Sequence, residues 1–98
     1  MKNKKLLEKL AQGKALWAYE YLGLMIQMLR RQERMSQQDL AYHSGIDRST
    51  LSKIETGVTR NPQIFHISGI ATKLGVPLSL LITPTNGMGI VLANYWTK

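Results

Sequence analysis

The stretch that most constrains this chain runs from Met35 to Gly57, MSQQDLAYHSGIDRSTLSKIETG. Its pattern predicts two short helices joined by a glycine turn. Ser36 is a favourable N-cap, and Asp39 three residues later makes a weaker form of the capping box, whose usual partner is Glu or Gln. Leu40 and Ala41 supply the buried side of the first helix, which ends near Ser44. Gly45 can take a positive φ without steric cost, as a sharp turn between helices demands. Ile46 is the apolar plug of that turn. Asp47 caps the second helix, which buries Leu51 and Ile54 and stops at Gly57. Left facing outward are Arg48, Ser49, Ser52, Lys53 and Thr56, a stripe of donors with no carboxylate in it. A helix of this kind is suited to lie in a major groove and hydrogen-bond base edges.

A chain of 98 residues is expected to form one domain. At that size it can bury roughly two-thirds of its unfolded surface, enough for a helical core without staples. The absence of cysteine removes any disulfide framework or thiolate metal site and fits a reducing cytosol. The formal net charge of +7 points to a polyanion, of which nucleic acid is the commonest. Simple solubility is the blander explanation, but the motif supports the polyanion independently. The opening Met1-Lys-Asn-Lys-Lys has the charge of a signal-peptide start, yet Glu8, Lys9, Gln12 and Lys14 interrupt any apolar core behind it. The longest apolar run, Ala15 to Met28, contains Glu20 and is too short to span a bilayer. A soluble, cytoplasmic protein with no membrane partner is therefore expected. A chain this short also leaves no room for a separate ligand or cleavage domain, which argues against control by a small molecule or by self-cleavage.

Around the motif the apolar spacing predicts further helices. Residues 3–12 place Leu6, Leu7 and Leu10 on one face, a short amphipathic helix broken or kinked at Gly13. A longer helix is predicted from Ala15 to Arg34, with Leu22, Ile26 and Leu29 as its core stripe and Met25 beside them. Asn61-Pro62 reads as an N-cap followed by proline at the first helical position. Ile64, Ile67, Ile70, Ala71 and Leu74 then form a buried stripe, and Gly75 ends that helix. Gly69 inside it should cost about 1 kcal/mol relative to alanine. It is either a neutral surface glycine or a point of close approach by another segment. Leu78 to Ile82 is a last short helix, more apolar than one buried face requires. Thr83-Pro84-Thr85-Asn86-Gly87 is a turn-rich linker. Ile90 to Trp96 reads as a short strand or extended arm that either folds back on its own domain or pairs with a second copy.

No catalytic constellation is visible. His43 and His66 stand alone, without the spaced carboxylate or second histidine that a metal site needs. No cofactor is called for, and an enzyme is not expected. Met25 and Met28 at helical spacing are more often core filler than a docking surface. Lys2, Lys4 and Lys5 could form a minor-groove arm, although a solvated terminus is the commoner role of such a run. Glu55 is the one carboxylate that faces inward from the second motif helix, beside Ile54.

At these residues the chain resembles the Cro-type, lambda-repressor-like helix-turn-helix family, often called the XRE family. The resemblance extends beyond the motif. Leu22-Gly23, Ile26 and Leu29-Arg30 match the family's first helix, and Pro62, Ile64, Ile67, Ile70-Ala71, Leu74-Gly75-Val76 and Leu81 match its fourth and fifth. A bare helix-turn-helix pattern is a weak signal; one flanked by three further helices in register is strong.

The resemblance implies an all-α, five-helix DNA-binding domain over residues 22–82. To this are added an N-terminal helical extension, 1–21, and a C-terminal linker and apolar arm, 83–98. It also implies a transcriptional regulator, a repressor or autoregulator from a prokaryote or phage, binding double-stranded DNA as a homodimer on a pseudo-palindromic operator. Carried over by position, Ser36 and Gln37 start the first motif helix at the DNA, Gln37 holding a phosphate and bracing Arg48. Arg48, Ser49, Ser52 and Lys53 face the bases, and Thr56, Arg60 and Asn61 contact the backbone. Val58 stands where many relatives have a lysine, which weakens the expected phosphate clamp, and Pro77 stands where many have a Ser or Thr cap. Arg30 sits at the family position whose side chain meets Glu55, implying a structural ion pair. The competing reading is a helix-turn-helix antitoxin or interaction module that holds a protein partner through its apolar ends, Trp17 to Tyr21 and Ile90 to Trp96.

Overall fold

A computed structural model describes residues 4–12 and 16–82. Among them are six helices and no strand: α1 (Lys4–Ala11), α2 (Ala18–Gln32), α3 (Gln37–Ser44), α4 (Arg48–Glu55), α5 (Ile64–Leu74) and α6 (Leu78–Ile82). The architecture is all-α, with α2 to α6 forming the five-helix, lambda-repressor-like arrangement. The turn at Gly13, the linker after Ile82 and the apolar arm lie outside the described residues.

The core is built around α2, which packs on α4, α5 and α6, while α3 packs on α4 and α5. Being flanked on several sides, α2 has no single apolar stripe. Every residue from Glu20 to Met28 is buried, including Leu24, which the predicted stripe omitted, whereas Leu29, which it included, is only half-buried. Tyr21, upstream of the family match, is part of this core, and its hydroxyl donates to the Leu80 carbonyl at 3.3 Å. Met25 and Met28 fill the interior. Leu40, Leu51, Ile54, Ile70 and Leu81 complete it, each essentially inaccessible. Burying such side chains stabilises the fold by about 1.5–3 kcal/mol apiece.

Helix boundaries differ from the sequence expectation in two places, each for a local reason. The long helix spans Ala18–Gln32 rather than Ala15 to Arg34. At its start Trp17 is extended and its N–H donates to Glu20 Oε1 at 2.9 Å; Glu20 also receives Lys9 Nζ at 3.1 Å, tying α1 to α2. At its end Arg34 adopts a left-handed conformation, with φ of 57°. There the Arg34 N–H donates to the Arg31 carbonyl and the Met35 N–H to the Arg30 carbonyl, at 3.0 and 3.1 Å. That pair of bonds normally accompanies glycine, so the sequence carries no visible stop signal at this point.

The second difference is at α5, which is capped by Gln63 rather than Asn61 and begins at Ile64. Proline's fixed φ suits an extended approach as well as a helix start, because the two differ only in ψ. Pro62 therefore lies on the approach to the helix. Starting there also leaves Ile64 at the exposed first turn, 56% accessible instead of buried. Gly69 marks a close approach: a β-carbon there would sit 2.8 Å from the Ser44 carbonyl oxygen at the end of α3.

Candidate nucleic-acid interface

The two motif helices are held by a cap at each start and a left-handed turn between them. Ser36 Oγ accepts the Asp39 N–H at 3.0 Å, and Asp47 Oδ1 accepts the Thr50 N–H at 2.6 Å. Bonding to the Thr50 hydroxyl, and then to its N–H, holds the Asp47 carboxyl below its ordinary range. Gly45, with φ of 76°, closes α3, and the Ile46 N–H reaches back to the Ala41 carbonyl at 3.0 Å. Leu40, Ala41, Leu51 and Ile54 lie beneath, so the angle between α3 and α4 is set by core packing.

This places the sequence-predicted residues as follows. On α4, Arg48, Ser49 and Lys53 are exposed, and Ser52 is half-buried. Thr56, half-buried at the helix end, donates its hydroxyl to the Ser52 carbonyl at 2.8 Å. Arg60 and Asn61 are exposed on the loop that follows, and so is Val58. Ser36, Gln37 and Arg48 come together with Arg30 around one open concavity of about 580 Å³. Gln27, Arg31 and Gln38 complete its lining, whereas Ser49, Ser52, Lys53, Thr56, Arg60 and Asn61 lie outside it. Gln27, Arg31 and Gln38 are absent from the sequence-derived set. The signal that could have found Arg31 is its place in the last turn of the long helix, immediately before the motif.

Behind the concavity lies a buried polar network. Arg30 Nε donates to Glu55 Oε2 at 2.7 Å and Arg30 Nη2 to Oε1 at 3.1 Å. Arg30 Nη1 donates to the Met35 carbonyl at 2.8 Å, and Gln37 Nε2 to Glu55 Oε1 at 3.0 Å. Glu55 is wholly buried and Arg30 nearly so. Removing one partner of such a pair strands the other charge, at about 3–5 kcal/mol. The network joins the end of α2, the start of α3 and the last residue of α4.

Among the described residues no group of three His, Cys, Asp or Glu side chains could hold a metal ion. None of the described helices is long and apolar enough to cross a membrane. What remains is a helix-turn-helix unit on a helical core, with a polar, cation-bearing face on its second helix.

A family model described as helix-turn-helix matches residues 26–81, more than half of the chain. The chain belongs to that family, in its XRE-type, lambda-repressor-like form. It is similar to the HTH-type transcriptional regulator SlrR of Bacillus subtilis (strain 168), at 37% identity over 60 residues, covering 61% of this chain and 40% of that protein. It is also similar to the uncharacterized HTH-type transcriptional regulator y4dJ of Sinorhizobium fredii, at 34% identity over 65 residues, covering 66% of this chain and 83% of that protein. No solved structure matches the chain.

Proposed function

We propose that this chain is a cytoplasmic, sequence-specific DNA-binding regulator of transcription, acting as a repressor or autoregulator. The observation that carries the reading is the two-sidedness of α4. Leu51, Ile54 and Glu55 are sealed inside, while Arg48, Ser49 and Lys53 project outward without a carboxylate among them. In a major groove, Arg48 at the start of the helix reads guanine O6 and N7 with its fork, and Lys53 serves as a less demanding donor. The start of α3, with Ser36, Gln37 and Arg31, grips a phosphate, supported by the helix dipole. Arg60 and Asn61 hold the backbone beyond α4.

Two copies bind a pseudo-palindromic operator with recognition helices about 34–36 Å apart, one turn of DNA. The contacts between copies come from outside the five-helix core, in the apolar arm of residues 83–98.

Selection of bound sites from random DNA tests the reading. Each half-site is expected to require at least one G·C pair. Arg48→Ala should relax preference at that pair by about 1–3 kcal/mol, whereas Arg60→Ala should weaken all sequences about equally. Selection that enriches no sequence would overturn the proposal, and an unchanged preferred site in Arg48→Ala would reduce Arg48 to a phosphate contact.

A further inference from the structure

We infer that Arg34, in the turn between α2 and α3, is a further phosphate contact that extends the grip of the α3 start along the strand; this rests on the DNA-binding function proposed above. Arg34 is exposed and holds φ at 57°, whereas the other positive angles among the described residues belong to Gly45, Gly57 and Gly75. Glycine would take this conformation without strain, so the arginine has to be accounted for by its side chain. The fold makes no use of that side chain. Among the described residues no carboxylate, carbonyl or ring holds its guanidinium, and the exposed Glu33 beside it forms no ion pair with it. Nor does α2 need another charge there. A cation is favourable at the carboxyl end of a helix, but Arg30 and Arg31 already occupy the last turn.

The backbone around Arg34 is fixed from both sides. Its N–H donates to the Arg31 carbonyl at 3.0 Å and the Met35 N–H to the Arg30 carbonyl at 3.1 Å. Arg30 Nη1 in turn holds the Met35 carbonyl at 2.8 Å. The turn so fixed leads two residues later into Ser36, the cap of α3. Two residues span at most about 7 Å, a distance that an extended arginine side chain matches. Arg31 lines the concavity with Ser36 and Gln37, whereas Arg34 lies outside it. Its guanidinium thus meets not the phosphate held at the start of α3 but a neighbour, since phosphates recur about every 3.4 Å of helix axis on one strand. Affinity for the DNA backbone offsets the strain in the turn.

The test compares Arg34→Gly, Arg34→Asn and Arg34→Lys with the wild-type chain. Glycine and asparagine both accept a positive φ, while lysine keeps the charge and the strain. Binding is measured by fluorescence anisotropy on the selected operator and on a scrambled duplex, between 50 and 200 mM salt. Urea midpoints are recorded in parallel. Arg34→Gly and Arg34→Asn should bind both duplexes more weakly by the same factor, although their midpoints are no lower than that of the wild type. Their log–log salt slopes should fall by about two, one for each copy. The deficit in affinity should therefore shrink about tenfold from 50 to 200 mM salt. Arg34→Lys should keep the wild-type slope.

If Arg34→Gly and Arg34→Asn keep the wild-type slope, Arg34 touches no phosphate and the inference falls. A lowered urea midpoint with an unchanged slope would make Arg34 a helix-end charge and overturn it in the same way. It falls equally if the ratio between the two duplexes changes, because a phosphate contact carries no sequence information. A wild-type chain with a flat salt titration would instead overturn the DNA-binding function itself, and this inference with it.

Discussion

Arg34 holds a backbone conformation that elsewhere among the described residues belongs to glycine. Gly45, Gly57 and Gly75 follow α3, α4 and α5 with φ between 71° and 76°, and Arg34 follows α2 with φ of 57°. For an L-residue with a side chain this region costs about 1–2 kcal/mol. Arg34→Gly should therefore raise stability by about 0.5–1 kcal/mol, after allowing for the greater freedom of glycine in the unfolded chain. Urea denaturation should show a higher midpoint with an unchanged slope. Asp47 carries the opposite kind of signature. Its carboxyl is held below its ordinary range by Thr50, so its contribution is present above the unfolded value of about 3.9 and is lost as pH falls through the lower folded value. Asp47→Asn keeps an acceptor for the Thr50 N–H but does not titrate. Melting curves between pH 7 and pH 2.5 should show a shallower acid loss in that variant than in the wild type.

At the scale of elements, the contact between α2 and α4 governs how the recognition helix is presented. Gly23 lies directly beneath the end of α4: a β-carbon there would clash with the Ile54 carbonyl oxygen and lie 2.7 Å from that of Glu55. Helix propensity alone favours Gly23→Ala by about 1 kcal/mol. The two backbones cannot separate without disturbing Leu51 and Ile54, and overpacking of this kind costs about 1–3 kcal/mol. The variant should lower the melting temperature and weaken operator binding together, because moving α4 also moves Arg48 and Lys53. A Gly23→Ala protein more stable than the wild type would show that the helices have room to part.

For the whole molecule, the formal charge of +7 sets the expected response to salt. A dimer neutralising about 6–10 phosphates should lose about 10³–10⁵ in affinity between 50 and 200 mM salt, because released counterions drive the binding. Titrations by anisotropy at several salt concentrations should give a steep, linear log–log dependence. A flat one would contradict a phosphate-dominated interface. Loss of the proposed base contacts of Arg48 should shift these curves without changing their slope, whereas loss of Arg60 from both copies should reduce the slope by about two.

What the sequence determined by itself follows from short-range chemistry. The caps at Ser36 and Asp47, the left-handed turn at Gly45 and the end at Gly75 are local devices, each readable within a few residues. The inward position of Glu55 was legible for the same reason, since helical period alone places it beside Ile54. The tertiary structure decided what depends on neighbours distant in the chain. It buried α2 on several sides, so that Leu24 is core and Leu29 is not. It moved the start of α5 to Ile64, because proline does not distinguish a helix from the extended approach to it. It also made Gly69 a contact with Ser44 and gathered Arg31, Gln37 and Arg48 around one concavity. The Gln37–Glu55 bond spans 18 residues, and no periodicity within either helix encodes it. Only the packing of α3 and α4 on the core brings the two side chains within reach.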